Sequence, residues 1–170
     1  IARRAGLSRG QVVEIGSAAG FTLEAFKRAG WRVRGVETNA TIACYANQRL
    51  GVPTVCGLVE DVELPMDQDL FLILQVLEHL RDPRALLDRL QSSLRPGGMV
   101  LVETWSLHSW VAKVLGPDWH QYSPPTVLNW FSARSLTRLM NSVGLRLVRT
   151  GRPLKLITLQ NGLSLLRSKY

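Results

Sequence analysis

The chain has 170 residues, 46% hydrophobic and 20% charged, enough for a single core without material for a second. Its formal net charge of +8 sits in the last third: residues 1–118 hold 13 basic and 13 acidic side chains, and residues 119–170 hold 8 basic and no acidic ones. No uninterrupted apolar stretch reaches the roughly 18 residues of a membrane span, and no basic leader precedes an apolar run, so a transmembrane or exported chain is not expected and a cytoplasmic one is. The basic residues are dispersed singly through apolar patterns, which reads as solvated faces rather than a nucleic-acid footprint, although an anionic partner would suit them. Cys44 and Cys56 lack the paired spacing of a zinc site and are expected as reduced core or near-core thiols. The opening on Ile1, at the foot of the first sheet element, is compatible with an N-terminally truncated fragment of a one-domain protein covering 1–170.

Near-continuous apolar runs at about 11–16, 32–37, 53–57, 69–75 and 98–105 read as strands buried on both faces, and helical patterns separate them. Asn39 caps a helix that runs to Leu50 and ends at Gly51. Asp82 and Pro83 start another, whose stripe of Leu86, Leu87, Leu90 and Leu94 stops at Pro96-Gly97-Gly98. Ser132 begins the last clear helix, with Leu136, Leu139, Met140 and Val143 inward and Gly144 behind. Leu145–Arg149 and Leu154–Gln160 then read as two strands about the turn Gly151-Arg152-Pro153. Strands alternating with helices describe a parallel sheet covered on both faces, a doubly wound, Rossmann-like α/β fold.

The most informative run is Glu14-Ile15-Gly16-Ser17-Ala18-Ala19-Gly20 at the end of the first strand, answered by Glu37 at the end of the second. Ala18 stands where a dinucleotide fingerprint needs its second glycine, so a pyrophosphate is not expected there. A tight turn remains, flanked by Glu14, which can accept from an ammonium group. Glu37 can accept from both hydroxyls of a ribose. Amino acid at one end and ribose in the middle describe S-adenosylmethionine.

With these residues, and with Gly57-Leu58-Val59-Glu60-Asp61, Leu64-Pro65, Asp69-Leu70, Val76-Leu77-Glu78-His79-Leu80, Asp82-Pro83 and Leu94-Arg95-Pro96-Gly97-Gly98 following in order, the chain resembles the class I S-adenosylmethionine-dependent methyltransferases over roughly residues 11–150. The likeness is to a bacterial branch acting on small molecules. It implies a mostly parallel seven-stranded sheet in the order 3-2-1-4-5-7-6, with an antiparallel edge hairpin. It also implies a cofactor site built from Glu14, Gly16, Ser17, Gly20, Glu37, Thr38, Val59, Glu60 and Gln75. Two residues depart from the family pattern: Ala18 replaces the middle glycine, and Leu58 stands where an adenine-binding acid is common. That leaves the base to the Val59 amide and to Glu60 or Asp61.

Residues 106–131, between the fifth strand and the Ser132 helix, form a connection rich in Trp110, Trp119, His120, Tyr122 and Trp130. A connection of that length leaving the carboxyl edge of a sheet is expected to wall or cover a substrate site. Trp105, Trp119 and Tyr122 are the candidate substrate contacts, while Trp110 and Trp130 read as a minicore. His108 and His120 are the candidate bases for a hydroxyl acceptor, and His79 reads as a structural residue that shapes the pocket. Metal ligation is not expected, because ligand clusters are absent. The expected activity is methyl transfer to a small-molecule acceptor at oxygen. An RNA methyltransferase, or a non-catalytic cofactor- or nucleic-acid-binding module on the same fold, is the alternative.

Overall fold

A computed structural model of the chain describes residues 7, 9–119 and 121–152. Its sheet contains β1 (Gln11–Ile15), β2 (Arg32–Glu37), β3 (Thr54–Cys56), β4 (Gln68–Leu74) and β5 (Leu94–Glu103) in the order β3-β2-β1-β4-β5. All neighbouring pairs are parallel. The crossovers carry α1 (Phe21–Arg28), α2 (Ala40–Arg49) and α3 (Pro83–Ser93), while α4 (Trp110–Leu115) and α5 (Ala133–Ser142) follow β5. This is a Rossmann-like arrangement, and the order matches the first five positions of the expected seven-stranded sheet.

Alternation along the central strands divides the core between the two faces. Val13, Ile15, Phe71 and Ile73 pack with Leu86, Leu87 and Leu90 of α3 and with Leu136, Leu139 and Met140 of α5. Val12, Leu70 and Leu72 point the other way, onto Leu23 of α1 and Ala46 of α2. The helix boundaries follow the capping chemistry: Asn39 Oδ1 accepts from the Thr41 and Ile42 amides at 3.0 and 3.1 Å, and Asp82 Oδ1 from the Ala85 amide at 2.9 Å. Gly51 leaves α2 with φ +59°, and Ser132 and Ser135 form a reciprocal capping box on α5. At the amino edge of the sheet Asp69 accepts from the Gln11 amide and from Arg95. Burial alone would raise the Asp69 carboxyl, but these donors together hold it below its ordinary value.

Three expectations are corrected. β5 begins at Leu94 rather than at 98, running through Pro96-Gly97-Gly98 with a register shift opposite Gln68–Leu70, which a strand at the edge of the described sheet tolerates because it pairs on one side only and proline, having no N–H to donate, can sit out of the ladder. Cys44 and Cys56 are both exposed: Cys44 lies off the Ala43 and Ala46 face of α2, and Cys56 ends the outer strand β3. Leu145–Arg149 joins no ladder among the described residues, and its expected partner, Leu154–Gln160, lies outside them. No described helix is long and apolar enough to cross a membrane.

Candidate active site

β1 delivers the chain to the carboxyl edge of the sheet, where Gly16 and Gly20 take φ values of +67° and +83° and Ala18 takes +46°. Only the first two are comfortable there, so Ala18 holds a conformation that costs an L-residue on the order of 1 kcal/mol. The hydrogen bonds around it explain how that conformation is kept. The Gly16 and Ser17 amides both donate to the Val36 carbonyl, at 2.8 and 3.0 Å, and the Gly20 amide donates to the Ser17 carbonyl at 2.9 Å. The Ala18 amide donates to Glu37 Oε2 at 2.9 Å. The bend is therefore bolted to β2, and the amides of Gly16, Ser17, Ala18 and Gly20 are all consumed inside the protein.

The polar groups left over define what the bend can hold. It lines a cleft of about 220 Å³ with Glu14, Gly16, Ser17, Ala18, Ala19, Gly20, Phe21, Thr22 and Leu74. Glu14 is 3% exposed, and its Oε2, like Ser17 Oγ, is buried with no hydrogen-bond partner among the described residues. Burial pushes the Glu14 carboxyl from 4.5 up to about 7, a rise partly offset by the Thr22 hydroxyl. Gly20 is the N-cap of α1 and offers no side-chain cap, so the cleft also borders the uncapped amino end of a helix. A carboxylate with one unpartnered oxygen beside uncapped helical amides complements a zwitterion, that oxygen facing its ammonium and the amides its carboxylate.

Glu37 ends β2, and its two oxygens accept from different amides, Oε2 from Ala18 and Oε1 from Asn39 at 2.8 Å, with the Thr38 hydroxyl at 3.4 Å. Oε2 keeps a free lone pair, and on Oε1 only the long Thr38 contact competes with a ligand, so the carboxylate is fixed in place yet can still accept from a diol. Gly35 makes this junction possible. A Cβ there would collide with Ser17 Oγ and come within 2.8 Å of Thr54 Oγ1, so the bend rests directly on β2. The signal for Gly35 was present in the sequence, since a glycine inside a strand marks close approach of another backbone.

Beyond β3, the Asp61 and Val62 amides return to the Leu58 carbonyl at 3.0 and 3.1 Å, forming a tight turn that carries Val59 and Glu60. Val59 is buried and Glu60 exposed. At the end of β4, Gln75 takes φ +59°, its amide donates to the Glu103 carbonyl at 2.8 Å, and its Nε2 donates to Glu103 Oε1 at 3.0 Å. A left-handed glutamine pinned at both ends to the neighbouring strand marks backbone strain at the ligand edge. Val76 packs against Gly16, closing the floor between β1 and β4.

The aromatic connection is tied to the turn after β4. His79 Nδ1 lies 2.6 Å from the Thr126 carbonyl, which requires a protonated Nδ1, and the Glu78 carbonyl accepts from the Leu128 and Asn129 amides at 2.9 and 3.0 Å. Asn129 Nδ2 donates to the Leu80 carbonyl at 2.7 Å. Trp119 is 2% exposed, Trp105 half-buried, and Tyr122 is 53% exposed with its ring 5.0 Å from that of Trp130, whose Nε1 donates to the Gln121 carbonyl. Trp110, expected in a minicore, is 72% exposed at the start of α4, a helix whose buried residue is Ala112. His108 is exposed, five residues past the end of β5, with its amide 3.3 Å from Ser106 Oγ. His120 lies outside the described residues.

The structure thus brings Glu14, Gly16, Ser17, Gly20 and Glu37 together around one bend, with Thr38 beside Glu37. It sets Val59 and Glu60 on the next loop and Gln75 on the other side of β1.

Comparison with known proteins gives a consistent result. Residues 1–150 match a family model described as a methyltransferase domain. The chain is 32% identical over 125 residues to a ubiquinone biosynthesis O-methyltransferase of Nitrobacter winogradskyi, covering 71% of this chain and 46% of that protein. It is 33% identical over 152 residues to the C-methyltransferase NovU of Streptomyces niveus, covering 85% and 35%. The chain therefore spans about half or less of the length of these curated relatives. Among solved structures, a Thermotoga maritima protein described as an S-adenosylmethionine-dependent methyltransferase and possible histamine N-methyltransferase shares the fold with a TM-score of 0.66 at 24% identity, over 79% of this chain and 62% of that one.

Proposed function

The chain belongs to the class I S-adenosylmethionine-dependent methyltransferases, and from that premise we propose that it transfers the cofactor's methyl group to a small-molecule acceptor at a hydroxyl oxygen. The observation that carries the reading is the buried, unpartnered Oε2 of Glu14 beneath a bend that is locked to Glu37. When bound, S-adenosylmethionine supplies a methyl carbon already activated by its sulfonium. What the protein must add is alignment, exclusion of water and, for a hydroxyl, removal of a proton.

The residues divide that work. Glu14 and Ser17 bind the ammonium end, and Gly16 and Gly20 give the bend its shape. Glu37, steadied by Thr38 and Asn39, accepts from the ribose diol. Val59 and Glu60 border the base. Gln75, held rigid by Glu103, lies at the end of β4 where the reacting centre belongs. Trp105, Trp119 and Tyr122 wall the acceptor, and His108 or His120 takes its proton. Residues 106–131 act as the lid of a single domain. The hydroxyl acceptor is supported by the ubiquinone O-methyltransferase relatives.

Carbon is the second reading, favoured by the likeness to NovU over 85% of the chain. Transfer of radiolabelled methyl from S-adenosylmethionine into a panel of phenols, carboxylates, sugars and tRNA separates the readings. Label in a phenol or sugar as an alkali-stable ether is expected. Label at carbon favours the second reading, and label confined to tRNA contradicts both.

A further inference from the structure

On α3, Arg89 reaches back to the turn that follows β3. Its Nη1 donates to the Val59 carbonyl at 2.7 Å and to the Glu60 carbonyl at 3.2 Å, and its Nη2 donates to the Val62 carbonyl at 2.7 Å. One half-buried guanidinium therefore gathers three carbonyls of a five-residue turn, a fork that lysine cannot reproduce. In a trans peptide the carbonyl and the following N–H point in opposite directions. Fixing the Val59 carbonyl on Arg89 therefore turns the Glu60 N–H away from α3, and the Leu58 carbonyl, held by the Asp61 and Val62 amides, does the same to the Val59 N–H. Among the described residues neither the Val59 nor the Glu60 amide has an acceptor. The turn thus shows two parallel N–H groups on the side opposite the arginine, at the carboxyl edge of the sheet where ligands bind in such folds.

We propose that Arg89 is a positioning residue for base recognition: by holding the carbonyls of Val59, Glu60 and Val62, it aims the amides of that turn at the cofactor's base and sets the preference for adenine over hypoxanthine. The inference rests on the cofactor reading above. Adenine offers an acceptor at N1 and a donor at its 6-amino group, which suits an N–H donor beside the Glu60 carboxylate. Hypoxanthine carries N1–H and O6, so it opposes a donor to the same N–H and an acceptor to the carboxylate. A site built for one pattern rejects the other because its own polar groups are left unpaired. Without Arg89 the three carbonyls lose their charged donor, the peptide planes are free to rotate, and the discrimination fades.

The test is titration calorimetry with S-adenosylhomocysteine and S-inosylhomocysteine on the full chain, for wild type, Arg89→Met, Arg89→Lys and Glu37→Gln, with circular dichroism to establish folding. Wild type is expected to favour the adenine ligand by about tenfold or more, the factor that one well-placed hydrogen bond supplies. Arg89→Met should weaken the adenine ligand by about that factor and move the hypoxanthine ligand by less than about twofold. Arg89→Lys should keep part of the preference, and Glu37→Gln should weaken both ligands while preserving their ratio. An unchanged ratio in folded Arg89→Met overturns the inference and leaves the cofactor reading standing. If Arg89→Met does not fold, the ratio in Arg89→Lys decides, unchanged against the inference and lowered for it. A wild type that binds neither ligand sinks the cofactor reading, and this inference with it.

Discussion

Glu14→Gln is the most informative single change, because burial of the carboxyl gives its effect a definite sign with pH. Burial raises the Glu14 carboxyl to about 7, so in the ligand-free protein about nine-tenths of the molecules carry it protonated at pH 6 and about one-tenth at pH 8. Only the ionised form attracts an ammonium. The affinity for S-adenosylhomocysteine should therefore fall about eightfold to tenfold between pH 8 and pH 6, on top of any ligand titration. The same shift acts on stability with the opposite sense. The folded value lies above the ordinary 4.5, so the folded chain binds the proton more tightly than the unfolded chain between these values. Stability linked to this group is full below about pH 4.5 and is lost as the pH rises through about 7, at most on the order of 3 kcal/mol. Glutamine removes both effects, giving a ligand affinity flat over pH 6–8 and weaker than wild type at pH 8, and an apo protein more stable than wild type at pH 8. Calorimetry at pH 6, 7 and 8, with thermal unfolding at the same points, checks this. A pH slope that survives in Glu14→Gln would refute the assignment of the slope to this carboxyl.

Other substitutions probe the remaining supports. Glu37→Gln sets an amide NH₂ against either the Ala18 or the Asn39 N–H, so chemical denaturation should show a loss of about 1–3 kcal/mol even without ligand, and equal stability would mean that these two bonds contribute nothing. Gly35→Ala drives a methyl into Ser17 and should cost S-adenosylhomocysteine at least about tenfold in affinity, with an unshifted isotherm as the contrary result. Phe71→Ala empties a fully buried site between β4 and the α3 face and should lower stability by about 3–5 kcal/mol while leaving the pH slope of ligand binding intact. His108→Gln should lower kcat for a hydroxyl acceptor by about 10²-fold without changing cofactor affinity, and an unaltered kcat removes His108 as the base.

The sequence disclosed those parts that depend on neighbours along the chain. Strands β1 and β4 were legible because burial on both faces leaves near-continuous apolar runs, and α2, α3 and α5 because Asn39, Asp82 and Ser132 are caps whose partners lie three residues on or fewer. Glu14, Gly16, Gly20 and Glu37 could be picked out because type and spacing alone describe them. What escaped notice depends on pairing across the fold. Nothing within the bend says that Val36 will take the Gly16 and Ser17 amides, or that Ala18 will donate to a carboxylate 19 residues away. Arg89 reads as one more solvated charge on a leucine-striped helix until the β3 turn is folded beneath it. The start of β5 was misplaced because Pro96-Gly97-Gly98 is a strong local stop, overridden where Leu94 pairs with Gln68. Cys44 and Trp110 went the other way: their residue types favour burial, but each lies on the outer side of a helix whose inner side is filled by alanine.

The central claim is that one bend grips an amino acid zwitterion through Glu14 while Glu37 holds the sugar beside it. A crystal structure with S-adenosylhomocysteine tests this most directly. The account predicts the ligand's ammonium within hydrogen-bond reach of Glu14 Oε2 and both ribose hydroxyls on the Glu37 carboxylate, with the Ala18–Glu37 bond retained. Density for the ligand elsewhere on the sheet edge, or a Glu37 carboxylate turned to bulk solvent, would contradict it.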